Sequence, residues 1–182
     1  MWRLLGVFSQ FLASGTESQI QVPFDVKDST LALSLDVSAL DAPDRRLTHN
    51  IPLQPVAPAI FTGLDGAPML IDADSGLLLD ASRPARPNAR VQILTTGLGR
   101  VTPDWPAGVA APLANPPRVN ATVHVWLDRE PVDVTAAVLA AGYAGMYVVE
   151  MRLPSIVNAG PAELYIDADG HESNRVRIWV EP

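Results

Sequence analysis

Residues 122–128 have the sequence Thr-Val-His-Val-Trp-Leu-Asp, and this stretch decides the fold class. Three apolar residues at alternate positions, Val123, Val125 and Leu127, fall on one face of an extended chain, whereas Trp126 falls on the opposite face. A period of two with one apolar face is typical of a half-buried antiparallel strand. The segment therefore predicts a strand with a buried face and a solvent face.

The same period of two recurs along the chain. It is found in segments 19–22, 31–37, 90–94, 162–167 and 175–180, and in the second half of segment 146–153. Between these segments lie clusters of Gly, Pro, Asn and Asp, which favour turns. Many short strands separated by turns predict an all-β protein, specifically an Ig-like antiparallel β-sandwich.

Two segments depart from this pattern. Residues 132–142 are rich in alanine and end at a glycine, which is compatible with a short helix with a C-cap or with a β-turn and a 3₁₀ segment. Residues 102–117 contain five prolines among alanines and glycines. This second segment predicts a long surface loop with little regular structure.

Composition excludes several classes of function. A net charge of −7 argues against a nucleic-acid partner and against binding to an anionic membrane surface. The absence of cysteine excludes disulfides, thiolate metal sites and a cysteine nucleophile. No stretch approaches the ~18 uninterrupted apolar residues of a membrane-spanning helix, so no membrane span is predicted.

A weak internal repeat suggests the domain organisation. An alternating strand that ends at a proline occurs twice, at 19–24 and at 150–155. The first copy is followed by predicted strands at 31–37 and 51–56, and the second by predicted strands at 162–167 and 175–180. Only a short segment precedes the first copy. We therefore predict a partial Ig-like β unit over 1–56, truncated or completed by a partner, and a complete sandwich over 57–182. Residues 1–8 are predicted as a strand rather than a signal peptide, because polar residues interrupt their apolar run.

Several motifs between residues 58 and 176 resemble one bacterial family. They lie, in order, at 58–61, 91–99, 101–103, 106–108, 142–147, 151–154 and 173–176. Together they resemble the C-terminal domain of unknown function found in secreted proteins of acidobacteria (the Solibacter type), a domain similar to Ig-like IPT/TIG modules. The resemblance covers roughly residues 57–182, and segment 11–24 resembles the end of the module that commonly precedes this domain. Met146 and Glu150 depart from the family pattern, where leucine and a small polar residue are usual.

The resemblance implies an extracellular or cell-surface location, since members of this family are exported. No catalytic residues are defined for the family. The sequence itself contains no Gly-x-Ser-x-Gly elbow, and its histidines, His49, His124 and His171, lie on different predicted elements. We therefore predict no catalytic residues and no enzyme activity.

Two acidic turns are candidate cation sites. Asp72 and Asp74 precede a Ser-Gly pair, and Asp167 and Asp169 precede a glycine. Carboxylates two residues apart in a turn can supply oxygen ligands to calcium, although neither turn has the full EF-hand pattern. The alternative is an Asx-turn in which the aspartate accepts hydrogen bonds from the nearby backbone.

Two tryptophans are candidate binding residues. Trp105 lies in the proline-rich loop and Trp126 lies on the predicted outer face of its strand. Exposed aromatic rings can stack on a glycan or fill a pocket in a protein partner, and they can equally pack under a neighbouring loop.

Three functions are compatible with these features. The first is a non-catalytic structural or interaction module whose partners are other domains of the same extracellular protein. The second is a self-assembling surface filament subunit, in which the open edge of the partial N-terminal unit accepts a strand from another copy. The third is a carbohydrate-binding module that uses Trp105 and Trp126.

Overall fold

The computed structural model describes residues 9–13, 18–24, 30–39 and 42–181. Within these ranges every regular element is a β-strand and there is no helix, so the predicted all-β class is confirmed. The strands, in chain order, are β1 Ser9–Ala13, β2 Ser18–Gln21, β3 Thr30–Ala39, β4 Ala42–Pro52, β5 Ala59–Ile60, β6 Leu70–Asp72, β7 Arg90–Thr96, β8 Val101–Thr102, β9 Arg118–Val119, β10 Val123–Leu127, β11 Glu130–Leu139, β12 Tyr147–Arg152, β13 Gly160–Ala168, β14 His171–Glu172 and β15 Val176–Val180.

The chain divides into two compact units. The first comprises residues 1–55 together with 106–108, and the second comprises 56–105 together with 109–182. The described part of the first unit contains two antiparallel hairpins, β1–β2 and β3–β4. The predicted closing run at 51–56 is not a separate strand, because β4 already begins at Ala42 and pairs with β3 along its length. The strand predicted over residues 1–8 lies outside the described residues.

The second unit is one curled antiparallel sheet with a sandwich-like arrangement. Its strand order is β15-β13-β10-β11-β12-β7-β5, and β14 lies beside β15 on the same side of β13. Strand β11 belongs to both layers, since Glu130–Val132 pairs with β10 and Asp133–Leu139 pairs with β12. A single long strand thus carries the chain from one layer to the other, as at the corner of an orthogonal β-sandwich.

The helix considered for residues 132–142 does not form, nor does the turn with a 3₁₀ segment, because this stretch is most of β11 and its exit. Alanine favours a helix only weakly, and here the backbone pairs with strands on both sides. The glycine at 142 has a φ of 80° and follows a strand rather than capping a helix. Cross-strand pairing has therefore overridden the local preference.

Alternation correctly predicts the buried faces. Strand β7 buries Val91, Ile93 and Thr95, and the intervening residues are half-buried. In β10, Val125 and Leu127 are buried whereas His124 is exposed. The loop predicted over 102–117 is also confirmed, since no strand lies between the end of β8 and the start of β9. The apolar residues of period two thus form the core of the second unit.

Two hairpins in this unit have two-residue turns with left-handed backbone at both positions. Asp128 and Arg129 connect β10 to β11 with φ values of 49° and 71°. Asp169 and Gly170 connect β13 to β14 with φ values of 48° and 84°. Turns of this type favour glycine at the second position, so Arg129 is the strained residue of the two turns.

Arg129→Gly is therefore expected to stabilise the protein by about 0.5–1 kcal/mol. Glycine removes the penalty of the left-handed backbone, and the greater conformational entropy of glycine in the unfolded chain offsets part of this gain. Gly170→Arg is the reciprocal control and is expected to destabilise by a similar amount, because open space surrounds Gly170 and only the backbone conformation is penalised. Urea unfolding followed by tryptophan fluorescence measures both. A loss of stability in Arg129→Gly would show that its side chain outweighs the turn preference.

Candidate functional site

Residues of the motif at 173–176 form hydrogen bonds that connect its segment to β5 and β13. The side-chain oxygen of Asn174 accepts a hydrogen bond from the Ile60 N–H at 2.7 Å, and its amide nitrogen donates to the Ile60 carbonyl at 3.1 Å. Ser173 is buried, accepts from the Ile166 N–H and donates to the Asn174 carbonyl. The Asn174 side chain, which lies between β14 and β15, therefore forms with the backbone of β5 the two hydrogen bonds that a neighbouring strand would form.

Other motif residues also bond to the backbone. The Thr95 hydroxyl donates to the Ala59 carbonyl at 2.7 Å, and the Tyr147 hydroxyl donates to the Gly99 carbonyl at 2.6 Å. Burial raises the pKa of Tyr147, so this phenol stays protonated and remains a donor. These hydroxyl groups are held in hydrogen bonds to the backbone of neighbouring segments.

In the first acidic turn, an aspartate accepts hydrogen bonds from the residue three positions further on. One oxygen of Asp72 accepts from both the backbone N–H and the hydroxyl of Ser75, each at 2.7 Å. The hydroxyl bond is the main reason that the pKa of Asp72 is lowered from its usual value. Asp74 forms an ion pair with Arg90 instead of joining Asp72 around a common point. The two carboxylates are thus engaged with different partners.

The second acidic turn is built in this way only at Asp167. Asp167 accepts from the Gly170 N–H at 3.1 Å, and Asp169 accepts from the Thr122 N–H at 2.8 Å. In the part of the chain that the structure describes, no three His, Cys, Asp or Glu side chains are grouped as metal ligands. Calcium binding at Asp72, Asp74, Asp167 or Asp169 stays a prediction.

Trp126 takes part in a stacked ladder on the outer face of one layer. Its ring is nearly parallel to that of Tyr165, at 9°, with the centroids 6.1 Å apart. The Arg175 guanidinium lies over the Tyr165 ring, 4.1 Å from its centroid. Trp126 therefore packs against the neighbouring strand rather than under a loop. Its contact with Tyr165 covers part of the surface that the Trp126 ring would offer to a sugar.

Trp105 lies elsewhere, in the loop between β8 and β9. Its indole N–H donates to the Val109 carbonyl at 3.0 Å, and its side chain is half-buried. Among the described residues no ring contact joins it to Trp126. The glycan hypothesis for Trp105 and Trp126 stays a prediction.

Sequence reasoning missed polar partners that the strand register brings together. Arg175 bonds to Glu163 at 2.6 Å and to Glu172 at 2.9 Å beside the stacked rings. The exposed Trp179 of β15 lies opposite Pro161 of β13. The alternation in 175–180 is the sequence signal that could have identified Trp179 as a solvent-facing residue.

Glu150 is the centre of a polar cluster. It accepts from Gln92 at 3.2 Å and from the Thr135 hydroxyl at 3.0 Å, and Arg90 lies 3.6 Å away. Thr135 lies where the β11–β12 register shifts, so a β-bulge positions its hydroxyl. Glu150 thus accepts two side-chain hydrogen bonds and forms an ion pair with Arg90.

A groove opens at one end of the second unit, and we call it the end groove. Its volume is about 210 Å³. It is lined by Leu127, Asp128, Glu130, Val132, Pro154, Ile156, Val157, Asn158, Ala162 and Val180. Apolar residues form its floor, and two carboxylates stand at its rim. A larger, polar cleft of about 590 Å³ lies beside Asp72 and Glu181, and the Arg86–Glu181 ion pair borders it.

The three histidines lie on β4, β10 and β14 and are not grouped. The described residues contain no helix long and apolar enough to cross a membrane. Comparison with known proteins adds no assignment: no family model, no curated protein and no solved structure matches the chain.

Proposed function

We propose that the chain is a non-catalytic structural or interaction module of an extracellular or cell-surface protein. The observation that supports this most is the use made of the polar motif residues. Asn174, Ser173, Tyr147 and Thr95 all bond to backbone groups of neighbouring strands. Residues that would be candidates for chemistry in an enzyme hold the sheet together here. The resemblance to exported acidobacterial proteins supports the location.

Surface display is tested on intact cells of the source organism that carry an epitope-tagged copy of the protein. Added protease is expected to remove the tag from intact cells while a cytoplasmic marker survives. Tag that becomes sensitive only after lysis would contradict the extracellular location. A panel of ester, glycoside and phosphodiester substrates tests the other half of the proposal. Turnover that scales with protein concentration and copurifies with the chain would contradict the non-catalytic assignment.

Self-assembly by strand addition is a second candidate, and a specific observation favours it. Strands β3 and β4 contain 10 and 11 residues and, among the described residues, pair only with each other. An isolated two-stranded hairpin is marginally stable in water, and a sheet edge is a template for a further strand. A strand from a second copy would extend the β3–β4 sheet in this way.

Light scattering is expected to show a mass that rises with protein concentration if strands are added between copies. The chain lacks cysteine, so Ser34→Cys places a single label within β3. Spin labels at this position are expected to give a short intermolecular distance that vanishes when labelled protein is diluted with unlabelled protein. A strict monomer at the highest soluble concentration would rule out this candidate.

A further inference from the structure

We propose that the end groove binds a lysine or arginine side chain of a partner polypeptide. The inference rests on the proposed role as an interaction module and names the chemistry of its partner. Three features carry it: the apolar floor, the size of the groove and the charge of its rim.

The floor is apolar and comes from four neighbouring strands of one layer, β10, β11, β13 and β15. Leu127, Val132, Ala162 and Val180 line it, with exposed fractions of 7%, 7%, 4% and 3%. Surface of this kind takes up the methylene groups of a long side chain, and Lys and Arg commonly bury their stems in this way. The floor therefore fits an unbranched aliphatic stem.

The size of the groove fits one side chain. Pockets for small-molecule ligands usually have volumes of ~300–1,000 Å³, and the end groove is smaller, at about 210 Å³. Binding energy at protein interfaces is concentrated in anchor side chains that fill pockets of this scale. Ile156, 89% exposed at the rim, adds apolar surface for the residues that flank the anchor.

The rim selects a positive charge. Asp128 and Glu130 line the groove, whereas none of its lining residues is basic. No ion pair within the described part of the chain involves either carboxylate. The intervening Arg129 is exposed and does not line the groove. A cationic head on an aliphatic stem is thus complementary to both parts of the site.

The rim is also held in place before any partner arrives. The Asp128 N–H donates to the Glu163 carbonyl at 2.9 Å, and the Asp128 carboxylate accepts from the Glu163 N–H at 2.8 Å. These two bonds fix the turn between β10 and β11 against β13. A rim that is already ordered loses little conformational freedom on binding.

The test uses the whole chain and three acetylated, amidated peptides of sequence Gly-Ser-X-Gly-Ser, in which X is lysine, norleucine or glutamate. The lysine peptide is expected to shift the methyl NMR signals of Leu127, Val132 and Val180 saturably, and added salt is expected to weaken this binding. The norleucine peptide is expected to bind several-fold more weakly and the glutamate peptide weaker still. Equal binding of norleucine and lysine would overturn the proposal, as would the absence of shifts with every peptide.

Variants assign the binding to this groove. Glu130→Gln is expected to weaken binding of the lysine peptide roughly threefold, the range of an exposed charge pair, and to reduce its salt dependence. Ala162→Leu fills the floor and is expected to abolish the shifts. Glu172→Gln removes an exposed carboxylate that does not line the groove, so it serves as the matched control and is expected to leave binding unchanged. An equal effect of Glu172→Gln and Glu130→Gln would contradict the site, and the surface-display and turnover tests remain independent of this result.

Discussion

Gly97→Ala is expected to lower the free energy of unfolding by about 3 kcal/mol or more, the sum of a left-handed backbone penalty and an unrelieved clash. Gly97 has a φ of 76°, and a Cβ added there would lie 1.8 Å from the carbonyl oxygen of Ala57 and 2.5 Å from its carbonyl carbon. Both contacts are with backbone, so no side chain can move aside to relieve them.

The backbone at this point has little freedom to shift. The Ala57 N–H donates to the Gly97 carbonyl at 2.7 Å, and the next residues pair β5 with β7 through Ala59 and Thr96. Separating the two chains by the distance that a methyl group requires would break this hydrogen bond and disturb the adjoining pair. The glycine of the 91–99 motif is therefore needed for the close approach of two backbone segments.

Gly76→Ala is the matched control. Gly76 also has a left-handed backbone, with a φ of 70°, but nothing lies within 4 Å of an added Cβ. It is expected to cost only about 1 kcal/mol, the backbone penalty alone. Urea unfolding of the two variants and the parent measures the difference. Similar losses in Gly76→Ala and Gly97→Ala would show that the clash at Ala57 is relieved cheaply.

The strands of the second unit are predictable from sequence because burial repeats with their local period. The run Val176–Val180 shows the pattern most simply, with residues buried and exposed in strict alternation. Segment 132–142 could not be assigned in this way. Its alanines are small enough for a helix or a sheet, and the choice depends on β10 and β12, which lie on either side of it in space. Pairing partners are invisible in a local pattern.

The candidate site residues show the same division. Asp72 and Asp167 each accept a hydrogen bond from the backbone three residues further on, so this competitor of calcium binding could be proposed from neighbouring residues alone. Asp169 accepts from Thr122, which is 47 residues away, and that bond could not be proposed in this way. The stacking of Trp126 on Tyr165 required the register of two strands distant in sequence. The end groove is still less accessible to sequence reasoning, because its floor combines residues from four strands whose alternation predicts only that they are buried.

The second large effect is expected at Asn174, where Asn174→Asp should destabilise the protein by about 3 kcal/mol at neutral pH. The substitution keeps an oxygen to accept from the Ile60 N–H and replaces the donor to the Ile60 carbonyl with a second oxygen. It therefore removes one hydrogen bond, leaves a partly buried carbonyl unsatisfied and places a negative charge against it. The lost hydrogen bond joins residues that are 114 positions apart in sequence, one near the beginning and one near the end of the second unit's chain.

This variant should recover stability in acid relative to the parent. A carboxylate facing a carbonyl is disfavoured, so the pKa of the introduced aspartate should be higher in the folded than in the unfolded protein. Its folded form then binds a proton more tightly, so the penalty is full above the folded pKa and is relieved as the pH falls through it. The protonated carboxyl can again donate to Ile60. An Asn174→Leu variant, which has no titratable group, should show no such recovery.

Asn120→Asp is the control for the chemistry of the substitution. The Asn120 side-chain oxygen accepts from the Thr102 hydroxyl at 2.7 Å in an exposed position, and an aspartate can accept in the same way. The change is expected to stay within about 0.5 kcal/mol, as is usual for exposed substitutions. Unfolding free energies of the three variants, measured from neutral to acidic pH, separate the outcomes. A pH-independent loss in Asn174→Asp would mean that the carboxylate turns to solvent, and a loss no greater than that of Asn120→Asp would mean that the sheet does not depend on this amide for its closure.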